Sequence, residues 1–145
     1  MTSGGARRPH GMTAHAATAA LPTRRRTAVL WTLQALLALM FVVASAAPKF
    51  AGEAYAVQIF EQIGVGQWFR YLVGALELAG GIGLLVPRLA GLAALGLVGL
   101  MIGAGYTQVV VLHNPMFVIT PIILGVLAAV VAWGRRESIA GLVGH

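Results

Sequence analysis

The stretch WFRYLVGALELAGGIGLLV, residues 68–86, decides how this chain folds. It is apolar enough for a bilayer, yet it carries Arg70 near its start and one carboxylate, Glu77, near its middle. A charge at the centre of a membrane helix costs about 2.5–3.5 kcal/mol on insertion scales. Glu77 should therefore face other helices or a polar cavity, with a partner or a proton to neutralise it. Such a segment needs neighbours, and three further apolar runs supply them: residues 27–47, 89–112 and 117–133. The first has 21 uncharged residues, about 31 Å as a helix and long enough to cross the hydrocarbon core. The last ends at Trp133, followed by Gly134, Arg135 and Arg136, an aromatic and then basic border suited to the membrane interface. Backbone polar groups in lipid must be satisfied within the chain, so each run is expected to be helical. The expected fold is all-α: an integral membrane four-helix bundle built from antiparallel hairpins.

Composition agrees. Of 145 residues, 59% are hydrophobic and only 10% charged, against about 25% charged in soluble domains. The net charge of +6 resembles a nucleic-acid signal only until the basic residues are mapped. Arg7, Arg8, Arg24, Arg25 and Arg26 precede the first run, Arg88 separates the second and third, and Arg135 and Arg136 follow the fourth. These are topology signals, so no nucleic-acid partner is expected. Placing those eight residues inside leaves only Lys49 and Arg70 outside. The expectation is a multi-pass protein of the bacterial cytoplasmic membrane, with four spans and both termini cytoplasmic. Cysteine is absent, which excludes a disulfide framework, a Cys-x-x-Cys pair and a thiolate metal site. No metal site is expected either; His10 and His15 lie in an N-terminal stretch where nothing fixes their geometry. Any redox role must take electrons from a partner or a bound cofactor.

The chain divides into a disordered basic cytoplasmic tail (1–23), a four-span membrane domain (24–136) and a short cytoplasmic tail (137–145). The first run also resembles a signal peptide, with Ala44, Ser45 and Ala46 as an A-x-A pattern. Its apolar stretch exceeds the usual signal length, so we read it as a retained helix. Pro87 and Arg88 leave room only for a tight hairpin. Residues 113–116 make another, with Asn114 as N-cap and Pro115 at the first helical position. Pro121 then falls inside the fourth helix and should kink it. Within the outer loop, residues 53–63 place Ala56, Ile59, Phe60 and Ile63 on one face and Gln58, Glu61 and Gln62 opposite. That pattern predicts a short amphipathic helix between spans one and two, lying over the bundle mouth.

Arg70, Gly74, Glu77, Gly81 and Arg88 share one stripe of span two. Gly74 and Gly81, above and below the carboxylate, let a neighbouring backbone approach or leave room for a ligand. Gly99 and Gly103 form a GxxxG pair on span three and are expected to serve helix packing. The polar residues collect toward the outer half, where Glu77, Lys49, Arg70, Tyr106 and Gln108 outline a candidate pocket opening outward. Arg70 leans toward its helix N-terminus and so away from Glu77. Lys49, Tyr106 or Gln108 are the better partners. Gln34 is expected to bond across helices, and His113 to be solvated in its turn.

Two segments carry a resemblance: LALMFVVASAAPKFAG, which contains Lys49, and GALELAGGIGLLVPRLAGLAALGL, which contains Glu77. Over roughly residues 27–136 the chain resembles the DoxX-like family of small bacterial four-helix membrane proteins. The family takes its name from a membrane subunit of a thiosulfate:quinone oxidoreductase, so the resemblance implies an accessory or quinone-interacting subunit of a membrane oxidoreductase system. It implies the lipid bilayer and oxidoreductase subunits as partners, leaves room for a homo-oligomer, and admits a quinone as a cofactor that the chain itself does not carry. Relatives tied to disulfide chemistry have cysteines; this chain departs from them. No catalytic role is assigned to any residue. Two other classes remain open: a small-molecule transporter or permeation protein, and a non-catalytic assembly or stress-response factor.

Overall fold

The computed structural model describes residues 12–144, with side chains from Arg24 onward. The expected tail, residues 1–23, lies outside the described residues as far as 11 and outside the described side chains from there on. The described residues form seven α-helices and no strand: α1 (Met12–Leu39), α2 (Ala47–Ala51), α3 (Ala54–Ile63), α4 (Gln67–Leu84), α5 (Ala90–Tyr106), α6 (Ile119–Gly134) and α7 (Arg136–Val143). A π-helical segment, Met40–Ala46, joins α1 to α2, and a second, Thr107–Val111, extends α5.

Each π segment has a local cause. Pro48 has no N–H, and its ring crowds the carbonyl of Ala44, four residues back. The turns before it widen, and the Ala47 N–H reaches five residues back to the Val42 carbonyl. In α5 the Thr107 hydroxyl donates to the Gly103 carbonyl at 2.9 Å, a side-chain bond that loosens the regular ladder. The Leu112 N–H then bonds the Thr107 carbonyl, again five residues back.

The long helices pack antiparallel around one core. Leu37, Phe41, Leu84, Leu97 and Val131, from α1, the first π segment, α4, α5 and α6, are all buried within it. The outward faces are just as apolar: Leu36, Val43, Leu76, Leu92, Ile102 and Val126 all stay exposed. Water would not tolerate such a belt, whereas lipid does. Arg24–Ala51, Ala90–Val111 and Pro115–Gly134 are each long and apolar enough to cross a membrane. The fourth expected span, α4, is not among these three; Gln67, Arg70 and Glu77 dilute its apolar side chains.

Four details differ from the sequence reading or add to it. Asn114 stands at the N-cap position, but its side chain makes no capping bond. A 3-10 turn, Pro115–Val118, precedes α6, so Pro121 falls in the first turn of the α-helix, where a missing N–H is tolerated. Residues 136–143, read only as part of a border and tail, form α7, which folds back on α5. The predicted amphipathic segment is α3, with Ala56 and Phe60 buried beneath it.

Candidate functional site

The site grows from two helices pressed together. Ser45 and Lys49, four residues apart, project from the first π segment and α2 toward Glu77 on α4. What permits the approach is the glycine on either side of Glu77. A Cβ on Gly74 would stand 3.2 Å from the Phe50 ring and 3.3 Å from the Lys49 Cβ, and one on Gly81 would stand 2.7 Å from Val42. Larger residues there would push α2 and α1 away and open the contact.

Ser45 Oγ donates to Glu77 Oε1 at 2.8 Å. Lys49 Nζ lies 2.8 Å from Glu77 Oε2, an ion pair whose partners are only 16% and 4% exposed. Glu77 Oε2 is enclosed by protein, with Lys49 as its charged partner. Lys49 also donates to the Ser45 carbonyl and hydroxyl, both at 3.1 Å. The pair is electrically neutral and almost fully buried.

Arg70 does not join this pair. It is buried, donates from Nε to Gln67 Oε1 at 2.8 Å and from Nη1 to the Lys49 carbonyl, and lies over the Tyr71 ring. It thus caps the C-terminal end of α2, where unpaired carbonyls favour a cation, and fixes the backbone that carries Lys49. Of the three partners favoured for Glu77, the structure brings up Lys49. Tyr106 is 62% exposed on another face of α5, and Gln108 lies on the wall of the cavity. Ser45 went unnoticed as a polar partner, although its spacing of four from Lys49 places both on one helical face.

Above the pair lies a cavity of about 450 Å³. Phe60 and Ile63 of α3 roof it, Phe69 and Val73 of α4 form one wall, and Gly99, Gly103 and Thr107 form the other. Among the described residues of this chain, nothing packs onto Gly99 or Gly103. A Cβ added to either meets nothing within 4 Å, and both line the cavity. His113 is exposed in its turn with a left-handed backbone, φ 52°.

A second polar cluster occupies the opposite end. Gln34, fully buried, donates from Nε2 to the Leu84 carbonyl at 2.6 Å and accepts from Arg135 Nε at 2.8 Å. Leu84 ends α4, so its carbonyl has no partner within the helix.

An apolar-faced helical packet with a neutral buried ion pair beneath a cavity defines a membrane protein with a lipid-side or ligand-side pocket. The chain belongs to the DoxX-like family, whose model matches residues 32–131. That match takes in Gln34, Ser45, Lys49, Glu77 and the cavity walls, and leaves Arg135 and α7 beyond it. No curated protein and no solved structure matches the chain.

Proposed function

We propose that this DoxX-like protein is an accessory, quinone-interacting subunit of a membrane oxidoreductase system. It crosses the bacterial cytoplasmic membrane four times, with both termini in the cytoplasm and α3 on the outer surface. The charges of α4 favour counting it as the fourth span: Arg70 and Glu77 are both buried against neighbouring helices, leaving Leu72, Leu76 and Ile82 toward lipid. At 18 residues it extends about 27 Å. The Lys and Arg distribution orients the whole.

The observation that carries the functional reading is the neutral Lys49–Glu77 pair at the foot of an apolar cavity of about 450 Å³. Ligand sites of about 300–1,000 Å³ with mostly apolar walls and a few convergent polar groups suit one small ring system. A quinone head is uncharged, so it enters without displacing either member of the pair. Its reduction takes up two electrons and two protons. A partner subunit with its own redox group delivers the electrons, and Glu77 bonds a ring oxygen or exchanges a proton with it.

The test is Glu77→Gln, which keeps the volume and removes the exchangeable proton. Membranes carrying the variant at wild-type abundance are expected to lose quinone-dependent activity of the partner system. The purified variant in nanodiscs should bind a short-tailed benzoquinol at least about tenfold more weakly, as fits loss of a charged hydrogen-bond acceptor. Activity and binding equal to wild type would remove the proposal. Transport of a small solute by the purified protein without any redox partner would replace it with a permeation role.

A further inference from the structure

The exposed charges of the described residues are segregated by end. Beside α3 they are acidic, Glu53 and Glu61, while Lys49 and Arg70 are bonded inward to Glu77 and to the Lys49 carbonyl. At the α7 end they are basic. Arg24, Arg25 and Arg26 on α1, Arg88 between α4 and α5, and Arg136 at the start of α7 all stand exposed, with Glu137 as the single carboxylate among them. None of these arginines forms an ion pair among the described residues; the pair that does form is Lys49 with Glu77.

Packing gathers these groups at one level. Gly91 backs onto the Arg135 carbonyl and Ser138, so the turn that carries Arg88 lies beside the start of α7. Gly134 backs onto Leu30, which sets Arg26 about 6 Å farther out along α1. The apolar belt ends at the same level, where Trp31, Leu89 and Trp133 are exposed. The Arg135 guanidinium lies 5.4 Å from the centre of the Trp31 ring, and that of Arg136 4.8 Å from the Trp133 ring. Indole rings favour the headgroup region of a bilayer, so both guanidinium groups are held near the depth of lipid phosphates. Stacking covers one face of a guanidinium and leaves N–H groups along its edge for oxygen.

We infer that the α7 end is a docking surface for anionic glycerophospholipid, with Arg88 and Arg136 as headgroup-binding side chains. An arginine fork matches a phosphate, and a headgroup with net negative charge supplies the counter-charge that the protein lacks here. A zwitterionic headgroup offers the same phosphate but brings its own cation. An acidic peptide also matches the charge, yet it has nothing to cover the apolar belt and tryptophans beside the arginines; acyl chains do. The surface lies at the opposite end of the packet from the cavity, so the inference stands apart from the quinone reading.

The test is native mass spectrometry of the full chain released from nanodiscs that hold equal amounts of phosphatidylglycerol and phosphatidylcholine. Wild type is expected to retain phosphatidylglycerol at least about tenfold over phosphatidylcholine, since each arginine near an anionic surface is worth about fivefold. Arg88→Gln/Arg136→Gln should cut that preference at least about fivefold, while unfolding in phosphatidylcholine alone at the wild-type temperature. Gln58→Glu/Gln62→Glu lowers the net charge equally, but on the exposed face of α3, and should keep the wild-type preference. Excess glycerol 3-phosphate should not displace the lipid. Equal retention of the two lipids by wild type, whatever the variants do, would overturn the inference. An equal drop in both double variants would do so too, by assigning the preference to net charge. Displacement by glycerol 3-phosphate would give the surface to a soluble phosphate ester, and displacement by an oligoglutamate peptide would give it to a protein partner; either result overturns lipid docking.

Discussion

Both ends of the packet bury a polar cluster where α1 and its π-helical continuation meet α4, and the two are built from similar parts. At the α7 end Gln34 ties the last carbonyl of α4 to Arg135. At the α3 end Ser45 and Lys49 hold Glu77. The surroundings differ. Around Gln34 the packing is tight: a Cβ on Gly134 would lie 2.6 Å from Leu30, and one on Gly91 equally close to the Arg135 carbonyl and Ser138. Around Glu77 the tight packing stops on one side, where the residue borders the cavity. Buried polar groups alone therefore do not mark the site. The cluster at α7 ties helix ends together in tight packing, and the one at α3 places an ion pair beside a cavity.

If that contrast is right, removing charge at the α3 end should have the largest effect. Lys49→Met strands Glu77 as an unpaired buried carboxylate, and the expected loss of stability is about 3–5 kcal/mol. Reversible unfolding in mixed micelles measures it. The double variant Lys49→Met/Glu77→Gln should recover most of the loss, because no charge is left to strand. A double variant no more stable than Lys49→Met would show that the pair is not what holds α2 to α4.

Gln34→Leu probes the other end. It removes the donor to the Leu84 carbonyl and the acceptor for Arg135, at an expected cost of about 1–3 kcal/mol. Quinone-dependent activity per folded molecule should stay at the wild-type level, unlike Glu77→Gln. Loss of activity at full stability would erase the functional distinction between the clusters. Gly91→Ala acts at the same end by crowding. Its methyl would meet the Arg135 carbonyl and the Ser138 hydroxyl at 2.6 Å, so α7 must shift, at about 1–3 kcal/mol. Trypsin should then cut after Arg135 and Arg136 faster than in wild type, with activity retained.

These contrasts also mark what could be read from the chain. Glu77 stood out because a charge in an apolar run has so few tolerable environments. Lys49 was a plausible partner because it ends the neighbouring run on the same side. The amphipathic period of 53–63 led directly to α3. Other features left no local trace. The π segments over Met40–Ala46 and Thr107–Val111 arise from a proline ring and a threonine hydroxyl acting on the backbone, and no composition distinguishes them from α-helix. The Gln34–Arg135 bond joins residues 101 apart, a separation over which periodicity says nothing. α7 is short and lies beyond the apolar run that drew attention to α6.

The glycines of α5 show the limit most clearly, and they yield the smallest predicted effect. Spacing of four identifies a smooth strip on one face of a helix, but a smooth strip serves a packed helix, a second copy of the chain or a ligand equally well. Within the chain no helix lies on Gly103, since a Cβ there meets nothing within 4 Å. Gly103→Ala therefore introduces no clash and removes no contact, and its stability should stay within about 0.5 kcal/mol of wild type. If the strip instead joined two copies, the added methyl would part their backbones, and the fraction of dimer in nanodiscs or by mass photometry would fall. An unchanged oligomeric state with unchanged stability is the expected result. It would leave the strip as the wall of a cavity, where Gly91→Ala, the same chemical change on the same helix, acts on a packed surface.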